Sequence, residues 1–120
     1  MDGKLEYEGE YLYNKKWNGK GYDENGNIIY ELINGNGKVK EYNEDGILEF
    51  EGEYLNGKKI GKGKEYNRKG KLIFEGEYLN NQKNGKGKKY YKGILRFEGE
   101  YLYNKKWNGK EYDENGNINK

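Results

Sequence analysis

Alanine, cysteine, histidine, proline, serine and threonine are all missing from this 120-residue chain. Each absence removes a chemistry. Without Ser, Thr or Cys there is no hydroxyl or thiol nucleophile beyond the Tyr phenols, and without His there is no imidazole base or metal ligand. Disulfides and thiolate metal sites are excluded, as are N-glycosylation and Ser/Thr phosphorylation. No apolar run approaches the roughly 18 residues of a membrane-spanning helix. No signal-peptide core is seen either, so a soluble, cytoplasmic protein is expected, with no cofactor and no metal.

What is present argues against disorder. Charged residues make up 37% of the chain and apolar ones 32%, yet aromatics reach 16% and the net charge is only +2. Disordered chains are poor in aromatics and carry a strong net charge. The length suits one domain, residues 1–120.

The chain is organised by a repeat. Phe50-Glu51-Gly52-Glu53-Tyr54-Leu55, a short polar turn and Gly61-Lys62-Gly63-Lys64-Glu65-Tyr66 form the cleanest copy. Leading aromatics at 7, 30, 50, 74 and 97 are spaced by 23, 20, 24 and 23 residues. A fixed period in the twenties marks a repeat array. The five units run over about 5–27, 28–46, 47–70, 71–93 and 94–117. The second is shortened at its hairpin, and Val39 fills its second glycine slot. The fifth copies the first, since Glu98–Lys110 is identical to Glu8–Lys20.

Within a unit Leu48, Phe50, Gly52 and Tyr54 alternate with Glu49, Glu51 and Glu53. This period of two predicts a strand with an aromatic face and an acidic face. Gly61 and Gly63 alternate with Lys62 and Lys64 in the next segment. Pairing as a hairpin is expected to set glycines beside aromatics and lysines beside glutamates. Glycine weakens a strand unless something needs its bare backbone, and a ring laid flat over it supplies that reason. Asn56-Gly57 and Asp45-Gly46 read as hairpin dipeptides; Asn25-Gly26, Lys69-Gly70 and Asn115-Gly116 read as turns between repeats. The result is an all-β chain of five hairpins. At about 4.8 Å per strand, ten strands span roughly 45–50 Å.

Tyr/Phe-x-Gly-x-Tyr, then Gly-x-Gly, then a closing Gly resembles the MORN repeat (membrane occupation and recognition nexus). Phe50/Gly52/Tyr54/Gly61/Gly63/Gly70 and Phe74/Gly76/Tyr78/Gly85/Gly87/Gly93 are the best matches. Tyr stands where the family more usually has Trp, and Trp17 and Trp107 stand in a glycine slot. The Glu-Tyr endings are closer to the variant form found in bacterial proteins. The resemblance implies an elongated, twisted, solenoid-like single-layer antiparallel sheet of stacked hairpins forming a groove, without catalysis. It also implies a scaffold that binds proteins or dimerises, with an antitoxin-like neutraliser or an anionic-phospholipid-associated membrane scaffold as alternatives.

Candidate protein-binding residues are the aromatic stripe: Tyr7, Tyr11, Trp17, Tyr30, Phe50, Tyr54, Phe74, Tyr78, Phe97, Tyr101 and Trp107. Packing on glycines would make them core. A one-layer sheet leaves that face otherwise uncovered, so part of it is expected to be a groove for a peptide, a helix or a second copy. Homodimers or end-to-end self-association are both open. The lysine stripe is cancelled by Glu51, Glu53, Glu75 and Glu77, so no nucleic acid is expected and membrane binding finds little support. The Asp-Glu-Asn-Gly-Asn stretches at 23–27 and 113–117 lack calcium-loop spacing and read as turns. Gly-x-Gly inside a strand is no phosphate loop. Glutamates repeated in one structural role do not make a catalytic pair, so no enzyme is expected.

Overall fold

The structure, a computed structural model, describes residues 6–119. Leu5, the expected start of the first repeat, lies outside the described residues. The described chain is all strand and turn: β1 (Tyr7–Leu12), β2 (Lys15–Tyr22), β3 (Ile28–Leu32), β4 (Gly37–Tyr42), β5 (Leu48–Leu55), β6 (Lys58–Tyr66), β7 (Leu72–Leu79), β8 (Gln82–Tyr91), β9 (Ile94–Leu102) and β10 (Lys105–Glu111). Successive strands pair antiparallel in chain order. The molecule measures 49 × 28 × 17 Å, as a single file of ten strands requires.

The ladder is interrupted once, giving a three-stranded sheet β1–β3 and a seven-stranded sheet β4–β10. The break falls in the shortened second hairpin, where β3 and β4 share a buried cluster of Tyr30, Leu32 and Val39 but the backbone pairing is reduced to an Ile33–Asn36 bridge. The other four hairpins each carry a β-bulge about halfway along; the second has lost the residues that would form one. Leu32 and Val39, both buried, fill its ring side where other hairpins oppose two glycines.

The bulges also correct the expected register. Within the third hairpin Phe50 stands opposite Glu65 and Tyr54 opposite Lys59. Glycine meets aromatic within the first hairpin, Tyr7 with Gly21, and elsewhere at the junction between repeats: Gly37 with Tyr54, Gly61 with Tyr78, Gly85 with Tyr101. The extra residue of a bulge shifts one half of a hairpin relative to the other. Lysines face glutamates within hairpins as expected, Glu51 with Lys64 and Glu75 with Lys88, and again at these junctions, Lys62 with Glu77 and Lys64 with Glu75.

Two kinds of turn close the strands. Hairpin tips are two-residue turns with both residues in the left-handed region, such as Asn56-Gly57 (φ 51° and 77°) and Asn80-Asn81 (φ 50° and 70°). The turns between repeats mostly use an Asx side chain. Asp23 Oδ1 accepts from the Asn25 and Asn27 amides, and Asn43, Asn67 and Asp113 repeat that pattern. Asp45-Gly46 belongs to this second kind, not to a hairpin tip.

One side of the sheet carries the rings. Phe50, Tyr78, Phe74, Tyr101 and Phe97 interlock edge to face, with centroids 5.2–5.7 Å apart. A Cβ on Gly63 would come within 2.9 Å of both Phe50 and Tyr78, and one on Gly87 within 3.0 Å of both Phe74 and Tyr101. The bare backbone is therefore needed so that rings of two repeats can lie on it.

Candidate functional site

The predicted aromatic stripe divides in the structure. Tyr30, Phe50, Phe74, Tyr78, Phe97 and Tyr101 are buried. Tyr7, Trp17 and Tyr54 are half-buried. Tyr11 and Trp107 stand out, at 60% and 72% exposed. The buried rings are the spine of the array, and lysine stems roof them. Lys59, Lys83 and Lys106 place their ammonium groups 4.1, 4.3 and 4.8 Å from the Phe50, Phe74 and Phe97 ring centres. Lys16 sits likewise over Tyr7 at 5.1 Å. These lysines were not singled out in the sequence, although each follows a hairpin-tip residue (14, 57, 81 or 104) by two positions. Carboxylates hold some of them: Lys83 lies 3.2 Å from Glu65, and Lys106 2.9 Å from Glu111.

Burial on this side is felt by the phenols. It raises the Tyr30, Tyr54 and Tyr78 hydroxyls well above their ordinary range, and Glu41 beside the first two and Glu65 beside the third add to the effect. Burial, followed by the nearby Glu111 charge, raises Tyr101 as well.

The main concavity lies on the opposite side. A trough of about 1090 Å³ runs across β4–β9, with Ile29 of β3 at one end, and no residue of the aromatic stripe lines it. Its floor is glycine backbone, including Gly63, Gly76 and Gly87. Its walls alternate strand by strand: Lys38 and Lys40, Glu51 and Glu53, Lys62 and Lys64, Glu75 and Glu77, Lys86 and Lys88, Glu98 and Glu100. Positive and negative rows thus succeed one another and cancel over the whole trough.

Some of these groups are fixed by their neighbours. Tyr66 donates to Glu51 at 2.6 Å and Tyr90 to Glu75 at 2.7 Å. Burial, then those hydrogen bonds, push both hydroxyls up to about 12. The Lys86 amide donates to Glu77 at 2.7 Å, and Lys88 lies 3.7 Å from Glu98. The trough is chemically plain. Among the described residues no group of carboxylates is placed to hold a metal ion. A surface of repeated, evenly spaced charges can align a chain along itself; it singles out no reacting atom. The sequence shows the alternation of Lys and Glu and the cancelling of the lysine stripe by Glu51, Glu53, Glu75 and Glu77. The curvature that makes a trough of it comes from sheet twist and bulges, which no residue pattern spells out.

Residues 18–33, 35–56 and 59–80 match the family model described as the MORN repeat variant. The comparisons with curated proteins and with solved structures gave no match.

Proposed function

Because the chain belongs to the MORN repeat variant family, whose repeats are protein- and membrane-interaction modules, we propose that it is a non-catalytic scaffold that beds an extended protein segment in its charged trough. The observation that carries this reading is the trough itself, about 1090 Å³ of open, elongated space crossing six strands. Small-molecule sites occupy roughly 300–1,000 Å³ and enclose their ligand; an open channel crossing successive repeats suits a polymer.

The spacing suggests which polymer. Rows of like charge recur on every second strand, about 9.6 Å apart. A polyproline II segment turns once in three residues, roughly 9.3 Å. A partner extended in this way, with an acidic residue at every third position, would set its carboxylates over successive lysine rows. Affinity would come from several partly screened ion pairs and would fall with salt. An anionic membrane is less well matched, since attraction to it needs a surplus of Lys and Arg at the surface and the trough has none.

The aromatic side serves this function indirectly. Its buried rings hold the strands in the curvature that forms the trough, so replacing Tyr78 would disturb binding through stability. The direct test is calorimetric titration with a peptide of six Pro-Glu-Pro units, against a control with glutamate at every second position. Binding of the first, weaker binding of the control, and loss on the double substitution Lys64→Glu and Lys86→Glu are expected. Equal binding of both peptides, or binding unaffected by the reversal, would remove the trough from the account.

A further inference from the structure

On the trough side every hairpin carries an aliphatic residue that the fold leaves uncovered. Side chains alternate between faces along a strand, so in β5 Glu51, Glu53 and Leu55 share the trough side, while Phe50 and Tyr54 share the ring side. Leu12, Ile33, Leu79 and Leu102 hold the same place, directly before the tip turn of their own hairpins. All five are exposed. The interior ones, Leu55 and Leu79, are 47% and 51% exposed, so their exposure does not come from a missing neighbour.

Single apolar residues on a surface need no explanation. This row does. The tip residues that follow change from Tyr-Asn to Asn-Gly to Asn-Asn, and the second hairpin is shortened, yet the aliphatic residue stays. Among the described residues the buried clusters contain none of the five. Polar partners stand between them: Lys15, Lys58 and Lys105 lie opposite Leu12, Leu55 and Leu102, and Gln82 opposite Leu79. The row is thus a dotted line of apolar contacts, two strands or about 9.6 Å apart, along the tip-side rim of the trough. A flat apolar partner would bury those lysines unpaired. A single extended chain, apolar at matching intervals, would not.

We infer that the rim reads a second face of the segment bedded in the trough, and that this segment carries a large aliphatic residue beside each acidic one. The inference rests on the reading of the trough given above. A polyproline II helix has three faces, each repeating every third residue, roughly 9.3 Å. With one face of carboxylates over the lysine rows, a neighbouring face turns towards the hairpin tips, and the third faces water. Leu55 lies two residues beyond Glu53, about 6.8 Å along the strand, within reach of a side chain from that second face. Lysine rows and rim each recur once per hairpin, so a segment in register with one is in register with the other. The ionic contacts weaken in salt, and the apolar ones persist.

Calorimetric titration of the intact chain compares two peptides, one of six Pro-Glu-Leu units and one of six Pro-Glu-Gln units. The leucine peptide is expected to bind roughly tenfold more tightly or better, and to keep that advantage in high salt while both affinities fall. The double substitution Leu55→Asn and Leu79→Asn, at two exposed positions, should bring the peptides to the same affinity. Circular dichroism reads whether the sheet is kept, with Leu55→Asn alone as the milder variant. Equal affinities on the unsubstituted chain overturn the inference, as does a leucine advantage that survives the substitutions in a folded variant. In either case a glutamine peptide that still binds, and weakens in salt, leaves the trough reading standing. If neither peptide binds, both readings fall together.

Discussion

The same thirteen residues occur at both ends of this molecule, Glu8–Lys20 in β1–β2 and Glu98–Lys110 in β9–β10. Inside each hairpin the copies agree. Gly9 faces Gly19 as Gly99 faces Gly109, and the tips have φ 49° and 66° in one, 49° and 70° in the other. Outside the hairpin they are reversed. Tyr11 is 60% exposed and its twin Tyr101 only 6%. Trp17 is half-buried, while Trp107 is the exposed one. The cause is position. β9 has β8 beside it, which brings Phe74 to 5.2 Å from Tyr101. β2 has the β3–β4 tip beside it, and the Gly35 amide there donates to the Trp17 carbonyl. Backbone shape is thus written into each repeat, and burial is conferred by its neighbour. That is the nearest-neighbour logic of a solenoid.

The largest test of this division is on the tyrosines. Tyr101→Ala should cost about 3–5 kcal/mol, the range for emptying a buried aromatic site. Tyr11→Ala, made in the identical sequence, should cost roughly 1 kcal/mol or less. Urea denaturation of the two variants measures both. Equal losses would mean that the hairpin, not its neighbour, sets the energy.

A second pair should behave in the opposite way, because it probes what lies within the hairpin. A Cβ on Gly19 would meet the Glu8 carbonyl at 2.5 Å, and one on Gly109 the Glu98 carbonyl at 2.6 Å. Backbone cannot swing aside as a side chain can, so Gly19→Ala and Gly109→Ala should each cost about 1–3 kcal/mol. Their losses should agree within roughly 0.5 kcal/mol. A wide gap would show that even the hairpin's inner geometry depends on its surroundings.

Alkaline titration separates the interior repeats from the ends more gently. Tyr66 and Tyr90, in the interior, bond Glu51 and Glu75 at 2.6 and 2.7 Å; at the N-terminal end the matching Tyr22–Glu8 contact is 3.4 Å. The folded state holds the Tyr66 and Tyr90 protons up to about 12, against about 10 in an unfolded chain. A group raised in this way contributes its full stability below pH 10 and loses it as pH rises through 12. The urea midpoint should therefore decline between those values, and the phenolate absorbance should rise together with loss of the sheet signal. Tyr66→Phe and Tyr90→Phe should flatten that decline. A midpoint level across the window would argue that these hydroxyls are not held.

How much of this was legible beforehand follows the same line between local and neighbouring causes. The strands, the tips and the five-fold repeat could be read because alternation and Asn-Gly pairs act over a few residues. The role of glycine under the rings was legible too, though not that one glycine takes rings from two repeats: Gly63 lies under Phe50 of its own hairpin and Tyr78 of the next. The break at Leu32 and Val39 had a signal, the shortened second repeat, whose consequence for the ladder was not drawn. The trough had none in its own residues; only the family resemblance implied a groove. Lys62 and Glu75 look alike in sequence whether their sheet is flat or curved. Phe50, Phe74, Tyr78, Phe97 and Tyr101 of the aromatic stripe do share one side, but nothing local separates Tyr101 from Tyr11, whose surrounding sequences are the same.

The smallest effect expected is also the most direct view of the two ends. Trp17→Phe and Trp107→Phe each leave one indole, in the same local sequence, to report its surroundings by fluorescence. The chain that retains Trp107, the more exposed indole, should emit further to the red. It should also be quenched by acrylamide more steeply than the chain that retains Trp17, which lies against the Gly35 tip with its Cε3 2.9 Å from a Cβ built there. Trp107→Phe should shift stability by no more than roughly 0.5 kcal/mol, as surface substitutions do. Equal quenching of both indoles would mean that the second repeat does not cover its neighbour, and the lesson drawn from the two copies would fail at the residue where it is simplest to read.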